Sequence, residues 1–285
     1  MTRDACILGF GDNVVDIYEH TATMYPGGNA VNVAVGARQC GARRSAYMGY
    51  FGSDAAAEHV ITSLYDEGIE LVKCRQLLGP NGAARVTVID GDRVFLGSNE
   101  GGIRGETSYV LDRFDLEYIR QFDVVHTGNY CFTERQLPKI HGAGVPISFD
   151  FSDDSSHEYL SAIAPMVDFA FLSCGSLPEA DAQDLLRHVV SLGPRYANVT
   201  RGADGALGFD GQRFYRQPSK PVEHFVDTMA AGDTFIAGFL TSWFDLAKQG
   251  VDKEQCIEVS LDVAATAAAR ACGTEGSWGH GAPVA

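Results

Sequence analysis

Short runs of consecutive apolar residues alternate along the chain with longer segments whose apolar positions recur every three or four residues. An apolar run of this length is typical of a strand buried on both faces, and the wider spacing is typical of an amphipathic helix. The runs predict strands at 6–10, 123–126, 147–151, 168–172 and 196–200. The spaced segments predict helices at 29–40, 55–67, 116–122, 178–192, 231–247 and 253–272. This alternation predicts an α/β fold with a mostly parallel central sheet and helices on both faces.

One segment departs from the alternation and indicates a β-hairpin. Residues 85–89 and 93–96 are rich in β-branched and apolar side chains and flank an Asp-Gly turn signature at 90–91. Residues 13–18 also alternate between polar and apolar positions. Together they predict a small β-lid off the main sheet, with strands at about 12–20 and 84–98, placed to cover a pocket. No linker or internal repeat divides residues 1–285, so we expect a single domain.

The charge balance limits the partners of the chain. Its formal net charge is −15, from 37 acidic and 22 basic residues, which is unsuited to a nucleic acid backbone. No apolar run approaches the roughly 20 residues of a membrane span. The seven cysteines are scattered without a CxxC pair, and the first residues lack the apolar core of a signal peptide. We expect a cytoplasmic protein with free thiols that binds neither nucleic acid nor membrane.

The stretch Asp227-Thr228-Met229-Ala230-Ala231-Gly232-Asp233-Thr234-Phe235 carries the most informative chemistry. It joins a turn of small residues to an apolar helix pattern and leaves one carboxylate, Asp233, at the junction. The N–H groups of a first helical turn have no intrahelical acceptors and lie at the positive end of the helix dipole, so they form an anion site. An acid beside such a site can remove a proton from a hydroxyl as the hydroxyl attacks a phosphate. The stretch therefore predicts kinase chemistry.

A diglycine directly before a helix indicates a second site. In residues 27–32 (GGNAVN), Asn29 is the expected N-cap and Asn32 lies on the same helix face. The two carboxamides offer donors and acceptors that suit a polyhydroxylated ligand, although a capped helix packed on the sheet explains them equally well. Sugar binding gains support from three polar residues upstream: Asp12, Asn13 and Asp16.

Two glycine motifs concern a nucleotide. Residues 199–206 (VTRGADGA) place a Gly-x-x-Gly turn at the carboxyl end of a strand, where α/β sheets bind ligands; an ordinary hairpin turn is an equal alternative. Gly9-Phe10-Gly11 follows a strand, but Val14 replaces the third glycine of a dinucleotide fingerprint, which disfavours NAD. No P-loop motif is present. The acidic run 150–157 fits a solvated loop better than a substrate or metal site, and His126 has no partner at metal-ligand spacing.

The two anchor motifs, GGNAVNVAVGARQCG (27–41) and DTMAAGDTF (227–235), resemble in order and spacing those of the ribokinase-like carbohydrate kinase family. The resemblance covers nearly the whole chain. Within the family, GDNVVDIY (11–18), DRVF (92–95) and FDFSD (149–153) are similar to the fructoselysine 6-kinase subgroup. The resemblance implies a three-layer α/β/α sandwich with a small β-lid, ATP and Mg²⁺ as cofactors, and a homodimer joined through the lid. It leaves activation by a monovalent cation open.

Carried over position by position, the resemblance assigns roles to single residues. Asp233 would be the general base. The turn of Ala230, Ala231 and Gly232 would bring the backbone amides of residues 231–233 to an anion hole for the transferred phosphoryl group. The implied substrate contacts are Asp12, Asn13, Asp16, Gly27, Gly28, Asn29 and Asn32, with Arg93 and Glu100 from the lid. The implied nucleotide contacts are Thr200, Arg201, Gly202, Gly205 and Thr228.

Three positions depart from the family pattern. Ala230 stands where members usually have glycine, which costs about 1–2 kcal/mol if its φ is positive and almost nothing if its φ is helical. Residues 173–176 (SCGS) replace an Asn-x-x-Glu motif that orders magnesium, so the metal ligands are unknown, with Glu179 the nearest acid. Residues 150–154 (DFSDD) replace the Asp-x-Asn-x-Arg of many simple-sugar kinases, which favours a substrate other than a plain pentose or hexose, and an acidic loop could meet the ammonium group of an amino-acid adduct.

These features together predict an ATP-dependent kinase that transfers the γ-phosphoryl group to a primary hydroxyl of a fructosamine (Amadori) substrate such as fructoselysine. A fructokinase- or ribokinase-type enzyme for a plain sugar, or a nucleoside kinase, is the alternative within the same class. A catalytically silent sugar-binding homologue is the alternative from another class, because of Ala230 and the missing Asn-x-x-Glu motif.

Overall fold

Fourteen strands and nine α-helices alternate along the part of the chain that the computed structural model describes, residues 2–89, 92–175 and 177–284. Only the backbone is described for residues 88, 89, 92 and 93. The strands are β1 (Arg3–Gly11), β2 (Val14–Tyr18), β3 (Thr23–Gly27), β4 (Ala42–Phe51), β5 (Arg75–Gln76), β6 (Gly82–Ile89), β7 (Asp92–Ser98), β8 (Val124–Gly128), β9 (Ile147–Asp150), β10 (Phe169–Ser173), β11 (Tyr196–Thr200), β12 (Ala206–Phe209), β13 (Phe214–Gln217) and β14 (Ala282–Pro283). The helices are α1 (Asn29–Gln39), α2 (Ala55–Asp66), α3 (Ile103–Glu106), α4 (Arg113–Ile119), α5 (Leu137–Gly142), α6 (His157–Ile163), α7 (Glu179–Ser191), α8 (Ala231–Lys248) and α9 (Lys253–Ala271). None of the helices in these ranges is long and apolar enough to cross a membrane.

Nine of the described strands form the central sheet, in the spatial order β13-β12-β11-β10-β9-β8-β1-β4-β5. The seven strands from β11 to β5 are parallel, whereas at one edge β12 pairs antiparallel with both β11 and β13. Parallel strands need crossover connections that cover the faces of the sheet, which is why their sequences are continuous apolar runs. The predicted α/β class with a mostly parallel sheet is confirmed.

The two faces of the sheet bury separate hydrophobic cores. Leu8 and Val125 belong to the core that the sheet shares with α4–α7, whereas Ile7 and Val124 belong to the core beneath α8 and α9. Neighbouring residues of one strand therefore point into opposite layers, as the two-residue period of a strand requires. The result is a three-layer α/β/α sandwich.

A second sheet lies beside the sandwich, in the order β14-β3-β2-β6-β7; we call these five strands the lid. Its strand β2 is antiparallel to β3 and parallel to β6. The sequence patterns indicated β2, β6 and β7 but neither β3 nor β14. Strand β3 contains Pro26, which is depleted in strands, and β14 has only two residues. The predicted turn at 90–91 lies outside the described residues.

Strand β4 of the central sheet was not predicted from the sequence. Two arginines and Ser45 interrupt its apolar pattern, yet its last seven residues are buried. Ser45 is accommodated because its hydroxyl donates to the Ala34 carbonyl of α1 at 2.5 Å. A buried strand with satisfied polar side chains leaves no continuous apolar run for sequence analysis to detect.

One predicted helix is displaced along the chain. The helix expected at 116–122 begins three residues earlier, at Arg113. The cause is a reciprocal capping box, in which the side chains of Asp112 and Asp115 each accept the backbone N–H of the other residue. An aspartate at the third helical position served here in place of the more usual glutamate.

Candidate active site

A cavity lies on each side of the first turn of α8. The cavity that Asp233 lines has a volume of about 560 Å³, and the cavity that Ala231 and Gly232 line has a volume of about 590 Å³. The first, here called the acidic cavity, is lined by five carboxylates: Asp12, Asp16, Glu100, Asp150 and Asp233. The second, here called the apolar cavity, has small and apolar walls that include Val222, Phe225, Ala265 and Ala268. The strand order reverses at β1, and open α/β sheets bind ligands at such a point.

Asp233 lies in the first turn of α8 and is held by two carboxamides from α1. Its Oδ1 accepts a hydrogen bond from Asn29 Nδ2 at 2.8 Å, and its Oδ2 accepts one from Asn32 Nδ2 at 2.7 Å. Burial raises the pKa of Asp233 to about 6, although the two amide donors act in the opposite direction. The carboxylate is therefore ionised at neutral pH with a pKa near the working range, which suits a general base.

Asp150, at the end of β9, is joined to Asp233 through the same Asn29 carboxamide. Asn29 Nδ2 donates to Asp150 Oδ2 at 2.9 Å, and the Ser152 backbone N–H donates to Asp150 Oδ1 at 2.8 Å. Burial, and then the nearby charge of Asp233, raise the pKa of Asp150 to about 7. The expectation of a solvated loop at 150–157 therefore does not hold for Asp150 and Ser152, which line the acidic cavity. The missed signal was the position of Asp150 at the carboxyl end of a buried strand.

The start of α8 offers two free backbone amides instead of the expected three. Among the described residues, the N–H groups of Gly232 and Asp233 donate no hydrogen bond. The Ala231 N–H donates to the Thr228 carbonyl at 3.2 Å and so closes the turn before the helix. The expected contribution of the Ala231 amide to an anion hole is thereby corrected.

Ala230 has a left-handed backbone, with φ 54° and ψ 14°. Of the two cases that the sequence left open, the structure has the one in which alanine costs about 1–2 kcal/mol relative to glycine. Backbone strain of this kind persists where the surrounding structure holds the residue in place, and it is common at functional sites.

Gly28, and not Asn29, occupies the N-cap position of α1, with φ 111°. The cap itself comes from the residue that follows β1, because the Asp12 carboxylate accepts the backbone N–H groups of Asn29 and Ala30, both at 2.9 Å. A β-carbon at position 28 would lie 2.9 Å from the Cα atom of Asn13. Glycine is therefore required both for the positive φ and for the lack of space. The expectation that Asn29 caps the helix was wrong. The distant cap leaves the Asn29 carboxamide free to face the two aspartates.

Most of the predicted substrate contacts line the acidic cavity. Those that do are Asp12, Asn13, Asp16, Gly28, Asn29, Asn32 and Glu100. Gly27 is not among its described lining residues; it packs on Asp16, whose Oδ2 would be 2.5 Å from a β-carbon at position 27. The Arg93 side chain lies outside the described residues, so that predicted contact stays a prediction.

Four of the five predicted nucleotide contacts line the apolar cavity: Thr200, Gly202, Gly205 and Thr228. Arg201 departs from the prediction. Its guanidinium forms an ion pair with Glu179 at 3.7 Å, and Glu179 also accepts a hydrogen bond from Arg216 at 2.7 Å. Glu179, the acid nearest to the missing Asn-x-x-Glu motif, is therefore occupied by two guanidinium groups.

Two side chains without a sequence signal complete the network around Asp233. The Trp278 indole N–H donates to Asn32 Oδ1 at 2.9 Å, and His126 Nε2 lies 3.0 Å from Asn29 Oδ1. Each is far from its partner along the chain. The apolar strand sequence around His126 gives no indication of a hydrogen-bond partner for this histidine.

A hydrogen bond joins the lid to the loop before α8. The Tyr18 hydroxyl, on strand β2, donates to Asp227 Oδ2. Asp227 Oδ1 accepts the backbone N–H of Met229 at 2.9 Å and so shapes the turn that leads into the helix. The lid and the helix terminus therefore share one carboxylate.

Comparison with known proteins identifies the family. Residues 4–278 match the model of the pfkB family of carbohydrate kinases. The chain is 40% identical over 278 residues to a fructosamine kinase of Bacillus subtilis, which covers 97% of this chain and 94% of the relative. It is 34% identical over 235 residues to a fructoselysine 6-kinase of Escherichia coli, covering 82% of this chain and 87% of the relative. The resemblance seen in the motifs is confirmed.

Solved structures confirm the fold. A ribokinase from Giardia lamblia superposes with a TM-score of 0.83 at 17% identity, covering 96% of this chain and 94% of that chain. Aminoimidazole riboside kinase from Salmonella enterica superposes with a TM-score of 0.73 at 21% identity, covering 95% and 94% of the two chains. The predicted ribokinase-like three-layer sandwich is thus correct. The chain belongs to the pfkB family and is an ATP-dependent carbohydrate kinase.

Proposed function

We propose that this kinase phosphorylates a primary hydroxyl of a fructosamine, with fructoselysine or a close relative as substrate. The observation that carries the proposal is the position of the α8 terminus between two cavities, with Asp233 facing one and Gly232 facing the other. A sugar in the acidic cavity and a nucleotide in the apolar cavity would meet at this terminus. The relatives named fructosamine kinase and fructoselysine 6-kinase support the substrate class.

The residues at the α8 terminus have complementary parts in the proposed reaction. The substrate hydroxyl oxygen attacks the γ-phosphorus, the bond from that phosphorus to the ADP oxygen breaks, and the hydroxyl proton passes to Asp233. The free amides of Gly232 and Asp233 face the charge that develops on the transferred group. Asn29 and Asn32 hold the Asp233 carboxylate in one orientation.

The charge of the acidic cavity favours a cationic sugar derivative. Arg104 is the cationic side chain among its described lining residues, but it is 2% exposed and donates to the backbone carbonyls of Thr107, Cys131 and Phe132. Arg104 therefore does not neutralise the carboxylates of this cavity. The protonated secondary amine of a fructosamine complements them, whereas fructose and ribose carry no charge.

Magnesium belongs to the proposed reaction as part of the nucleotide complex. The described residues contain no group of three His, Cys, Asp or Glu side chains that could hold a metal. This fits an ion that keeps several waters and binds through phosphates with one or two carboxylates. Asp150, which lines the acidic cavity and is linked to Asp233 through Asn29, has no ion-pair partner among the described residues and is the carboxylate that would hold it. The bound ion would neutralise charge on the phosphates.

A substrate panel tests the proposed function. Purified protein with ATP and Mg²⁺ is assayed against fructoselysine, fructose, ribose and a nucleoside, and the product is located by ³¹P NMR. We expect the highest kcat/KM for fructoselysine and a phosphate on a primary carbon. Preference for fructose, ribose or the nucleoside would replace the fructosamine proposal by the alternative kinase. Binding by calorimetry without any phosphate transfer would favour a silent homologue.

We also propose a cytoplasmic homodimer joined through the lid. The cytoplasm supplies ATP and keeps thiols reduced, in agreement with seven free cysteines. The edge strand β7 presents Phe95 and Leu96, which are 64% and 51% exposed, and an exposed apolar edge strand is a pairing surface. Light scattering on the eluting protein should give twice the chain mass, and Phe95→Lys should give a monomer. A wild-type monomer at micromolar concentration would contradict the dimer.

A further inference from the structure

Asp233 depends on two carboxamides that could each face either way. An Asn side chain rotated by half a turn presents its oxygen where its nitrogen was, and an oxygen against a carboxylate is repelled. Nδ2 of both Asn29 and Asn32 faces Asp233, at 2.8 and 2.7 Å. The base is held only while both amides keep this orientation.

The Asn32 amide is fixed by a group that can only donate. The Trp278 indole N–H, 2.9 Å from Asn32 Oδ1, requires an acceptor at that point. Trp278 and Asn32 are both buried. The oxygen of Asn32 therefore faces Trp278, and its nitrogen faces Asp233.

The Asn29 amide faces a histidine, whose donor must be inferred from its neighbours. Asn29 Nδ2 lies 2.9 Å from Asp150 Oδ2 and 2.8 Å from Asp233 Oδ1, so its two hydrogens go to the carboxylates. Its oxygen then faces His126 Nε2 at 3.0 Å. This contact is a hydrogen bond only if Nε2 carries the proton.

The other face of the imidazole agrees with this tautomer. His126 Nδ1 lies 2.9 Å from Ser148 Oγ, on the neighbouring strand β9. A hydroxyl can donate to Nδ1 while Nε2–H donates to Asn29. His126 is fully buried, and burial lowers its pKa to about 3, so the ring stays neutral and carries one N–H through the working pH range.

We propose that His126 is a positioning residue for the phosphoryl transfer: its Nε2–H holds the Asn29 carboxamide with both N–H groups on Asp150 and Asp233. The series of hydrogen bonds from Ser148 through His126 and Asn29 to Asp233 is the counterpart of the series from Trp278 through Asn32 to Asp233. This inference rests on the proposed role of Asp233 as the base. Gly128 leaves the space that the Asn29 carboxamide needs, since a β-carbon at position 128 would lie 2.8 Å from Asn29 Oδ1.

The first test replaces the ring by matched groups with and without a donor. His126→Phe keeps a planar ring and removes Nε2–H, whereas His126→Gln keeps an amide donor at similar reach. We expect His126→Phe to lower kcat roughly ten- to a hundredfold, the equivalent of one hydrogen bond to a charged group, with the KM for ATP nearly unchanged. His126→Gln should recover most of the loss. Equal losses in both variants at equal melting temperature would overturn the proposal.

The second test measures the network directly and needs no substrate. In ¹⁵N spectra of the wild type, with His126 assigned by its absence in His126→Gln, the ring should be the neutral Nε2–H tautomer from pH 5 to 8. In ¹³C-carboxyl titrations, with Asp233 assigned by Asp233→Asn, His126→Phe should raise the Asp233 pKa, because the Asn29 hydrogen bond that lowers it is weakened. Asp150 and Asp12 also face this carboxylate and are titrated in the same spectra.

The outcomes of the two tests are separable. An Nδ1–H tautomer in the wild type, or an unchanged Asp233 pKa in His126→Phe, would overturn the positioning role. If His126→Phe does not fold, Ser148→Ala removes the hydroxyl that fixes the tautomer and should reduce kcat several-fold in the same direction. A wild type that phosphorylates no fructosamine but shows the expected tautomer and pKa shift would overturn the proposed substrate alone.

Discussion

The two cavities at the start of α8 have similar volumes, about 560 and 590 Å³, but opposite construction. The acidic cavity is built from side chains that hydrogen-bond to one another across α1, β8, β9 and α8. The apolar cavity is built from glycine turns, alanines and the backbone at the end of β11. A proton acceptor must be oriented by its neighbours, whereas a flat base and its phosphates need mainly space and free amides. Changes in the acidic cavity should therefore affect the chemical step, and changes in the apolar cavity should affect binding.

The largest effect is expected from Asp233→Asn, which removes the proposed base from the acidic cavity. Because the amide cannot accept the hydroxyl proton, we expect kcat to fall by about 10²–10⁴, while ATP affinity by calorimetry changes less than about threefold. Asp184→Asn is the matched control, since its side chain is 78% exposed on α7, and it should behave as the wild type. Turnover close to wild type in Asp233→Asn would exclude this residue as the base.

Gly202 and Gly205, which line the apolar cavity, allow the effect of steric clash to be distinguished from the effect of backbone strain. Both Gly202 and Gly205 have positive φ, 57° and 82°, but a β-carbon at 205 would lie 2.1 Å from the Gln217 carbonyl oxygen, whereas one at 202 meets nothing within 4 Å. Gly205→Ala should raise the KM for ATP roughly tenfold or more, because the turn must move, with kcat at saturating ATP largely kept. Gly202→Ala should cost about 1 kcal/mol of stability from backbone strain alone. Equal effects of the two substitutions on the KM would show that the turn does not shape the nucleotide site.

The pH dependence should differ between the cavities. With the pKa of Asp233 raised to about 6, the ionised base is present above that pH and is lost below it. The kcat/KM for the sugar should be level above about pH 7 and fall tenfold per pH unit well below 6. Adenosine binding, measured by calorimetry, should stay constant from pH 5 to 8 because no carboxylate is among the described residues that line the apolar cavity. An acid limb near pH 4 would contradict the raised pKa.

The smallest expected effect concerns Ala230, the left-handed residue before α8. Ala230→Gly relieves the left-handed strain of about 1–2 kcal/mol but gives the unfolded chain more freedom, so we expect a net stabilisation of about 0.5–1 kcal/mol. This corresponds to a rise in melting temperature of roughly 2 °C, with kcat unchanged. Ala231→Gly, in the first helical turn, is the control and should be neutral or destabilising. A large gain in activity on Ala230→Gly would instead revive the silent-homologue alternative.

The sequence predicted the parts of the site that consist of local motifs. The helix start before Asp233, the diglycine before α1 and the turn at 202–205 are each encoded within a few residues, so their small residues are visible in the pattern. The three-layer sandwich was also predictable from local patterns, since buried parallel strands appear as continuous apolar runs.

The contacts that orient the motifs could not be predicted because they are long-range. The cap of α1 comes from Asp12, 17 residues before it, and the partner of Asn32 is Trp278, 246 residues after it. Arg201 looked available for a phosphate until the fold placed Glu179 beside it. Each of these depends on which strands become neighbours, and no local pattern contains that information.

The Asp227 carboxylate has a mechanical consequence for the catalytic cycle. One of its oxygens accepts from Tyr18 of the lid, and the other accepts from the Met229 N–H in the turn before α8. A displacement of the lid that breaks the contact with Tyr18 would therefore remove a hydrogen bond from the same carboxylate that shapes the turn. The position of the lid over the acidic cavity and the shape of the turn before α8 are therefore linked through one side chain.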